Sequence, residues 1–193
     1  IGCWRGCTLD RAVSNFESFK NHVSVLFWSL GNESYAGDIL VEMNRYYKEK
    51  DPDRLVHYEG VAENRPYEDL ISDMESQMYA PPEKIKEYLE NNPKKPFILC
   101  EYMHDMGNSL GGMESYIRLL DQYEDYQGGF IWDYIDQALF VKDEVTGRDV
   151  LRYGGDFDDR PSDYEFSGNG ILFADRTEKP AMQEVRHYYG LRR

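Results

Sequence analysis

The chain has three cysteines in 193 residues, Cys3, Cys7 and Cys100. An odd number cannot all pair, and neither Cys3 nor Cys7 has a further Cys or His at zinc-site spacing. A disulfide scaffold and a structural zinc cluster are therefore excluded, and three reduced thiols are expected. No apolar run approaches the roughly 20 residues that a bilayer-spanning helix needs, and no secretion leader with charged, apolar and small-residue zones opens the chain. The expected location is the cytoplasm, with no membrane partner. Basic residues are also scarce: 22 Lys and Arg face 36 Asp and Glu, a net charge of -14 that repels phosphate backbones and argues against nucleic acid as a partner. The chain starts on Ile1 rather than on a methionine, so it is expected to be part of a longer polypeptide.

Aromatic residues are plentiful. Phe, Trp and Tyr make up 15% of the chain, and 16 of them are tyrosines, whose flat rings with hydroxyl handles suit amphipathic ligands such as sugars as well as ordinary core positions. Apolar, β-prone runs recur at residues 23–29 (VSVLFWS), 55–58 (LVHY), 74–79 (MESQMY), 97–102 (FILCEY) and 129–134 (GFIWDY), and predict five strands. Helical spacing fills the intervals: Ile39, Met43, Tyr46 and Tyr47; then Ile85, Tyr88 and Leu89; then Met113, Tyr116, Ile117 and Leu120. A further amphipathic helix precedes the first strand, with Ala12, Val13, Phe16 and Phe19 on one face. The polar stretch 59–72 reads more as loop than as helix.

Strands alternating with helices imply an α/β protein with a parallel sheet and helices outside it. Functional-looking groups gather at the strand ends: the first run ends in Gly31-Asn32-Glu33, the second in Tyr58-Glu59, the third in Tyr79, the fourth in Glu101 and the fifth in Trp132-Asp133. Polar groups at the C-terminal ends of many strands are the signature of a (β/α)₈ barrel, in which the βα loops build one site. No glycine-rich phosphate loop follows any strand, which argues against the open nucleotide-binding alternative. Glu33 and Glu101 lie 68 residues apart. That separation is three steps of about 23 residues, so the pair is expected three strands apart on one barrel mouth. Five strands make this the later, C-terminal part of an incomplete TIM barrel, strands 4 to 8, occupying residues 1–193. The three earlier strands, N-terminal β domains and a C-terminal domain are expected outside it, and a fragment with unpaired strand edges is expected to be inactive on its own.

Two strand-end glutamates suit glycoside hydrolysis with retention, in which one carboxylic acid protonates the leaving oxygen and a carboxylate about 5 to 5.5 Å away attacks the anomeric carbon. Glu33 follows the apolar run Trp28-Ser29-Leu30-Gly31 and is expected to be partly desolvated, as an acid role favours. Asn32 beside it can donate to a sugar hydroxyl. Glu101 stands in Cys100-Glu101-Tyr102, where the hydroxyl of Tyr102 or of Tyr79 is expected to donate to its carboxylate and so favour a charged nucleophile.

FWSLGNES (27–34) and ILCEYMHDMGNS (98–109) resemble the acid/base and nucleophile motifs of family 2 glycoside hydrolases, specifically the β-galactosidases. RLVHYEG (54–60), MYA (78–80), QGGFIWDYIDQ (127–137), YGGDFDDRPSD (153–163) and NGILFADRTEKPA (169–181) agree in the same order, from about Leu9 to the C-terminus. Within the family, SYAGDIL, ESQMYAPP and DDRPSDYEFSGNG resemble the large subunit of the two-subunit enzymes of lactic-acid bacteria. The resemblance implies Glu33 as acid/base, Glu101 as nucleophile, Tyr79 as the hydroxyl serving the nucleophile, and Asn32, His104, Trp132 and Asn169 as substrate-binding residues. It implies magnesium beside Glu33 and sodium beside Phe166 and Asn169, with most ligands of both ions outside this chain. It also implies cleavage of terminal β-D-galactosides such as lactose through a galactosyl-enzyme intermediate, with a second subunit or a homo-oligomer as partner.

Val23 departs from the family, which usually has proline there, and residues 1–8, including Cys3 and Cys7, match poorly. Other family 2 activities, β-glucuronidase or β-mannosidase, share the barrel and the Asn-Glu pair, but CEYMHDMGNS speaks for galactosides, and no basic group at the strand ends serves a substrate carboxylate. A noncatalytic carbohydrate-binding or complementing piece is the reading from a different class; the presence of both glutamates opposes it.

Overall fold

The computed structural model describes residues 2–190. The elements run α1 (Arg5–Phe19), β1 (Phe27–Ser29), α2 (Asp38–Lys50), β2 (Leu55–His57), α3 (Glu68–Ile71), β3 (Glu75–Met78), α4 (Pro82–Glu90), β4 (Phe97–Tyr102), α5 (Met113–Gln122), β5 (Tyr126–Ile131), β6 (Leu139–Lys142), β7 (Asp149–Arg152) and α6 (Met182–Gly190). β1 and β2 pair in parallel, with Phe27 opposite Leu55 and Ser29 opposite His57. β3, β4 and β5 form a second sheet in that order. The five expected strands and the helices between them are all present.

The chain divides into two compact units, residues 1–100 with 123–128, and residues 101–122 with 129–193. The first is built on stacked aromatics. Alternation along β1 sends Trp28 inward, where it is 1% exposed and lies on Tyr47 of α2 with 5.2 Å between ring centroids. Phe16 of α1 meets Trp28 at 5.5 Å and Tyr46 edge-on at 5.9 Å. The Trp28 indole N–H donates to Asp51 at 3.0 Å, and Arg54 both pairs with Asp51 and lies over the indole, so the one polar atom of the buried ring is satisfied. Helix α2 carries Asp38 in its first turn and Lys48 and Lys50 in its last, the order its dipole favours. Pro82 opens α4 at a position where a missing N–H costs nothing.

His57 stitches three strands together. Its ring is 5% exposed, with Nδ1 3.1 Å from the Ser29 hydroxyl of β1 and Nε2 2.6 Å from that of Ser76 in β3. The second unit has its own core of Met113, Ile171, Leu172 and Val185, closed by Ile117, Ile131 and Met182.

Several expectations need correction. The first strand begins at Phe27, four residues later than predicted, because a turn in which Val25 N–H donates to the His22 carbonyl occupies the approach and leaves Val23 93% exposed. The fifth runs Tyr126–Ile131 and stops before Trp132, where single loop contacts replace the ladder. On α1 the buried residues are Ala12 and Phe16, with Leu9 partly buried beside them, whereas Val13 and Phe19 are exposed. Residues 59–72 form two 3₁₀ turns and the short α3, close to the loop expected. The antiparallel β6–β7 hairpin was not anticipated; Leu139 pairs with Arg152, and Asp143 caps the turn through Thr146.

Burial lowers the His57 pKa to about 4 from its ordinary 6.5, so the fold favours the neutral ring. The stabilisation is complete above pH 6.5 and is lost as pH falls through about 4, in total on the order of 3 kcal/mol. Melting temperatures of a protein carrying this segment should drop across that window, and a His57→Gln variant should lack that part of the slope.

Candidate active site

In the first unit, β1 delivers Leu30 to the core and the chain then turns outward through Asn32 and Glu33, both exposed. Glu33 has left-handed backbone, φ 50°. Its N–H donates to Oε1 of Glu59 at 2.5 Å, and Glu59 is itself 7% exposed. The expected partial desolvation of Glu33 is thus corrected: the tethered turn carries its side chain away from Trp28 and Leu30 toward solvent. Glu33 and Glu59 line a cavity of about 520 Å³ with Glu63, Arg65, Gln77 and Met78. Arg65 is committed to a bidentate pair with the buried Glu75, at 2.6 and 2.8 Å. Tyr79 follows β3 at φ 53° and is 40% exposed. A separate cavity of about 430 Å³ beside Tyr88 and Lys95 contains none of the expected site residues.

In the second unit, Glu101 is half-buried near the end of β4. Tyr102 points to the opposite face, as strand alternation requires, and its hydroxyl lies 2.8 Å from that of Tyr189 in α6. The Tyr102 hydroxyl therefore serves the contact with α6. Backbone bonds tie together the loops that follow. Trp132 N–H donates to the Tyr102 carbonyl at 3.0 Å, Asp105 N–H to the Trp132 carbonyl at 2.9 Å, and Asp133 N–H to the Asn169 carbonyl at 2.7 Å. This lattice brings His104, Trp132 and the 166–169 turn into one unit, with the His104 and Phe166 rings 5.7 Å apart. The Trp132-Asp133 peptide is cis.

Two groups that sequence reasoning assigned no role hold that turn. Lys179 donates to Asp136 at 2.8 Å and to the Gly168 carbonyl at 3.1 Å, while Gly170 N–H donates to the same Asp136 oxygen at 2.8 Å. A Cβ at Gly170 would sit 2.3 Å from Asp136 N, so only glycine permits the approach. Both residues stand in motifs quoted above, QGGFIWDYIDQ and NGILFADRTEKPA, where the only signal was an acid and a base far apart in the chain. Asp105, beside His104, is 3% exposed, and burial pushes its carboxyl up against the opposing pull of Lys179.

Asn169 is the notable polar group. It is 3% exposed; its Nδ2 donates to the Phe166 carbonyl at 2.6 Å, and its Oδ1 is buried without a hydrogen-bond partner among the described residues. A buried amide oxygen without a hydrogen-bond partner is a donor atom of the kind a hard cation such as sodium takes. Magnesium is different. Among the described residues no three His, Cys, Asp or Glu side chains converge as a metal set, and the exposed Glu33 alone does not meet the octahedral oxygen demand of that ion.

The chain matches the family model described as "Glycosyl hydrolases family 2, TIM barrel domain" over residues 2–192. It belongs to glycosyl hydrolase family 2. The alternating strands and helices are therefore the C-terminal part of an incomplete TIM barrel, and the match begins upstream of Leu9, where resemblance by motif began. This family 2 chain is 73% identical over 187 residues to the β-galactosidase large subunit of Latilactobacillus sakei, covering 97% of the chain and 30% of that protein. To the large subunit of Lactobacillus helveticus it is 69% identical over 188 residues, again 97% and 30%. It is 60% identical to a β-galactosidase of Halalkalibacterium halodurans, covering 96% and 18%. The chain spans about three-tenths of the large subunits it matches. Among solved structures, a β-glucuronidase of Ruminococcus gnavus superposes with a TM-score of 0.65 at 17% identity, over 98% of this chain and 35% of that one. A β-galacturonidase of Eisenbergiella tayi gives 0.60 at 15%, over 95% and 36%. These two show the fold alone. No helix among the described residues is long and apolar enough to cross a membrane.

In a complete family 2 subunit carrying this segment, Asn169→Leu should raise the sodium concentration for half-saturation by about tenfold or more, read by sodium-23 NMR line broadening. An unchanged titration would remove Asn169 from the ion site.

Proposed function

We propose that the protein containing this segment is a retaining β-galactosidase that cleaves terminal β-D-galactosides such as lactose. What carries the reading is the 73% identity to a β-galactosidase large subunit across a stretch that contains both glutamate motifs. In this mechanism Glu33 donates a proton to the leaving glycosidic oxygen while the Glu101 carboxylate attacks the anomeric carbon, giving a galactosyl-enzyme intermediate. Glu33 then takes a proton from the water that releases galactose, and the Glu101 carboxylate departs. Tyr79 serves the nucleophile through its hydroxyl. Asn32, His104, Trp132 and Asn169 hold the sugar, with ring faces and hydrogen-bonding tips in the mixture that a sugar requires. Sodium beside the Phe166 carbonyl and Asn169 Oδ1 would offer a fixed positive charge to a sugar hydroxyl. Magnesium near Glu33 would draw its other ligands from residues beyond this segment.

The names of the relatives support a second subunit as partner, and the exposed thiols of Cys3 and Cys7 suit a reducing cytoplasm. The other family 2 activities predict a different outcome in a direct comparison of galactoside, glucuronide and mannoside turnover.

In the complete enzyme, Glu101→Gln should lower turnover on the order of 10³-fold or more while galactose still binds. NMR of the first-formed sugar should show the β anomer. An active Glu101→Gln enzyme, or initial release of the α anomer, would overturn the double displacement.

A further inference from the structure

The tether on Glu33 is one of three contacts from three consecutive residues. Tyr58, Glu59 and Gly60 follow β2, and each meets the loop that follows β1. The Tyr58 side chain is wholly buried, and its hydroxyl donates to the Ser34 carbonyl while accepting from Ser34 N–H at 3.0 Å. Glu59 accepts from Glu33 N–H. Gly60 lies so close that a Cβ there would sit 2.3 Å from the Ser34 carbonyl oxygen and 2.5 Å from the Tyr58 ring. Both chain-direction groups of Ser34 and the amide of Glu33 are thereby held by partners 24 and 26 residues away.

Glu33 needs such holding. A non-glycine residue at φ 50° occupies a sparsely populated backbone region, and the one local side-chain bond across it, from the Ser34 hydroxyl to the Asn32 carbonyl, is long at 3.3 Å. Its side chain makes no contribution to the core, so packing cannot set its direction. The carboxylate of Glu59, kept in a nearly closed environment, makes a charge-assisted bond to the one amide whose orientation sets where the Glu33 side chain leaves the backbone. Burial first, then the neighbouring Glu59 charge, holds the Tyr58 phenol above the usual tyrosine range, in the direction that favours the donating form.

We infer that Tyr58, Glu59 and Gly60 form a positioning cradle that aims the Glu33 carboxyl, with Glu59 and Tyr58 acting through the loop backbone and touching no substrate. The inference rests on the acid/base reading of Glu33 and predicts a particular kinetic consequence. Misaiming a general acid penalises bonds whose leaving group needs a proton and spares those whose leaving group departs as a stable anion. In a complete subunit carrying this segment, Tyr58→Phe and Glu59→Leu should each lower kcat/KM for lactose by about tenfold to a hundredfold. They should leave kcat/KM for 2,4-dinitrophenyl β-galactoside within about threefold, because that quantity reports bond cleavage with no need of acid assistance. Glu59→Gln keeps an acceptor oxygen for Glu33 N–H and should recover most of the lactose activity lost in Glu59→Leu.

Glu33→Ala is the control. If it fails to discriminate between the two substrates, the acid/base reading has failed and the cradle falls with it. If Glu33→Ala discriminates while Tyr58→Phe and Glu59→Leu slow both substrates alike, or slow neither, the cradle alone is overturned. Tyr58→Phe retains the ring and removes a single oxygen, so the comparison survives even if Glu59→Leu does not fold.

Discussion

The stacking of Trp28 on Tyr47, 5.2 Å between centroids, is the contact from which the first unit is arranged. It sets β1 against α2, and through Phe16 it sets α1 against both. Asp51 satisfies the indole, Arg54 covers it, and β1 then leaves the core in a fixed direction only a few residues before Asn32 and Glu33. A three-residue strand has little ladder with which to orient itself, so its large inward ring does that work. Removing such a ring would cost on the order of 3 to 5 kcal/mol, a large part of a typical domain's net stability.

Beyond that ring, each unit holds its loops by its own means. In the first unit a buried phenol and a buried carboxylate reach across from the next strand to hold an exposed loop by its backbone. In the second, a Lys179–Asp136 pair, 15% and 12% exposed at the side chains, pins the turn bearing Asn169. Both devices put a charged or polar group in a nearly closed environment, where its bonds are strong and its loss is costly. Both also require a glycine at the closest approach, Gly60 in one case and Gly170 in the other.

Much of this was legible in the order of residues. Strand β4 lies where its apolar run placed it, and the regular return of apolar runs between amphipathic stretches was enough for the α/β alternation. The 68-residue spacing set Glu33 and Glu101 three strands apart, and they follow β1 and stand in β4. Other features depend on side chains distant in sequence. Nothing near Ser34 indicates that Tyr58 will bind it, and nothing near Tyr102 indicates that its hydroxyl belongs to Tyr189. The exposure of Glu33 was misread because apolar neighbours along the chain were taken as neighbours in space; Trp28 and Leu30 point inward while the turn after them points out. The β6–β7 hairpin escaped notice because Leu139 and Phe140 are exposed, and so its strands lack the half-buried alternation by which a strand is usually recognised.

The bonds joining the loops of the second unit run from backbone to backbone: Trp132 to Tyr102, Asp105 to Trp132, Asp133 to Asn169, and Ile171 to Asp133. Amide and carbonyl groups are common to every residue except proline, which lacks the N–H, so these joints are indifferent to what each position carries outward. The side chains at 104 and 132 can thus be exchanged as interchangeable fittings without undoing the backbone joints that tie these loops together. Substitution would meet few vetoes from those joints at the two positions, and many at Gly60, Asp136 and Gly170, where identity and architecture are the same thing.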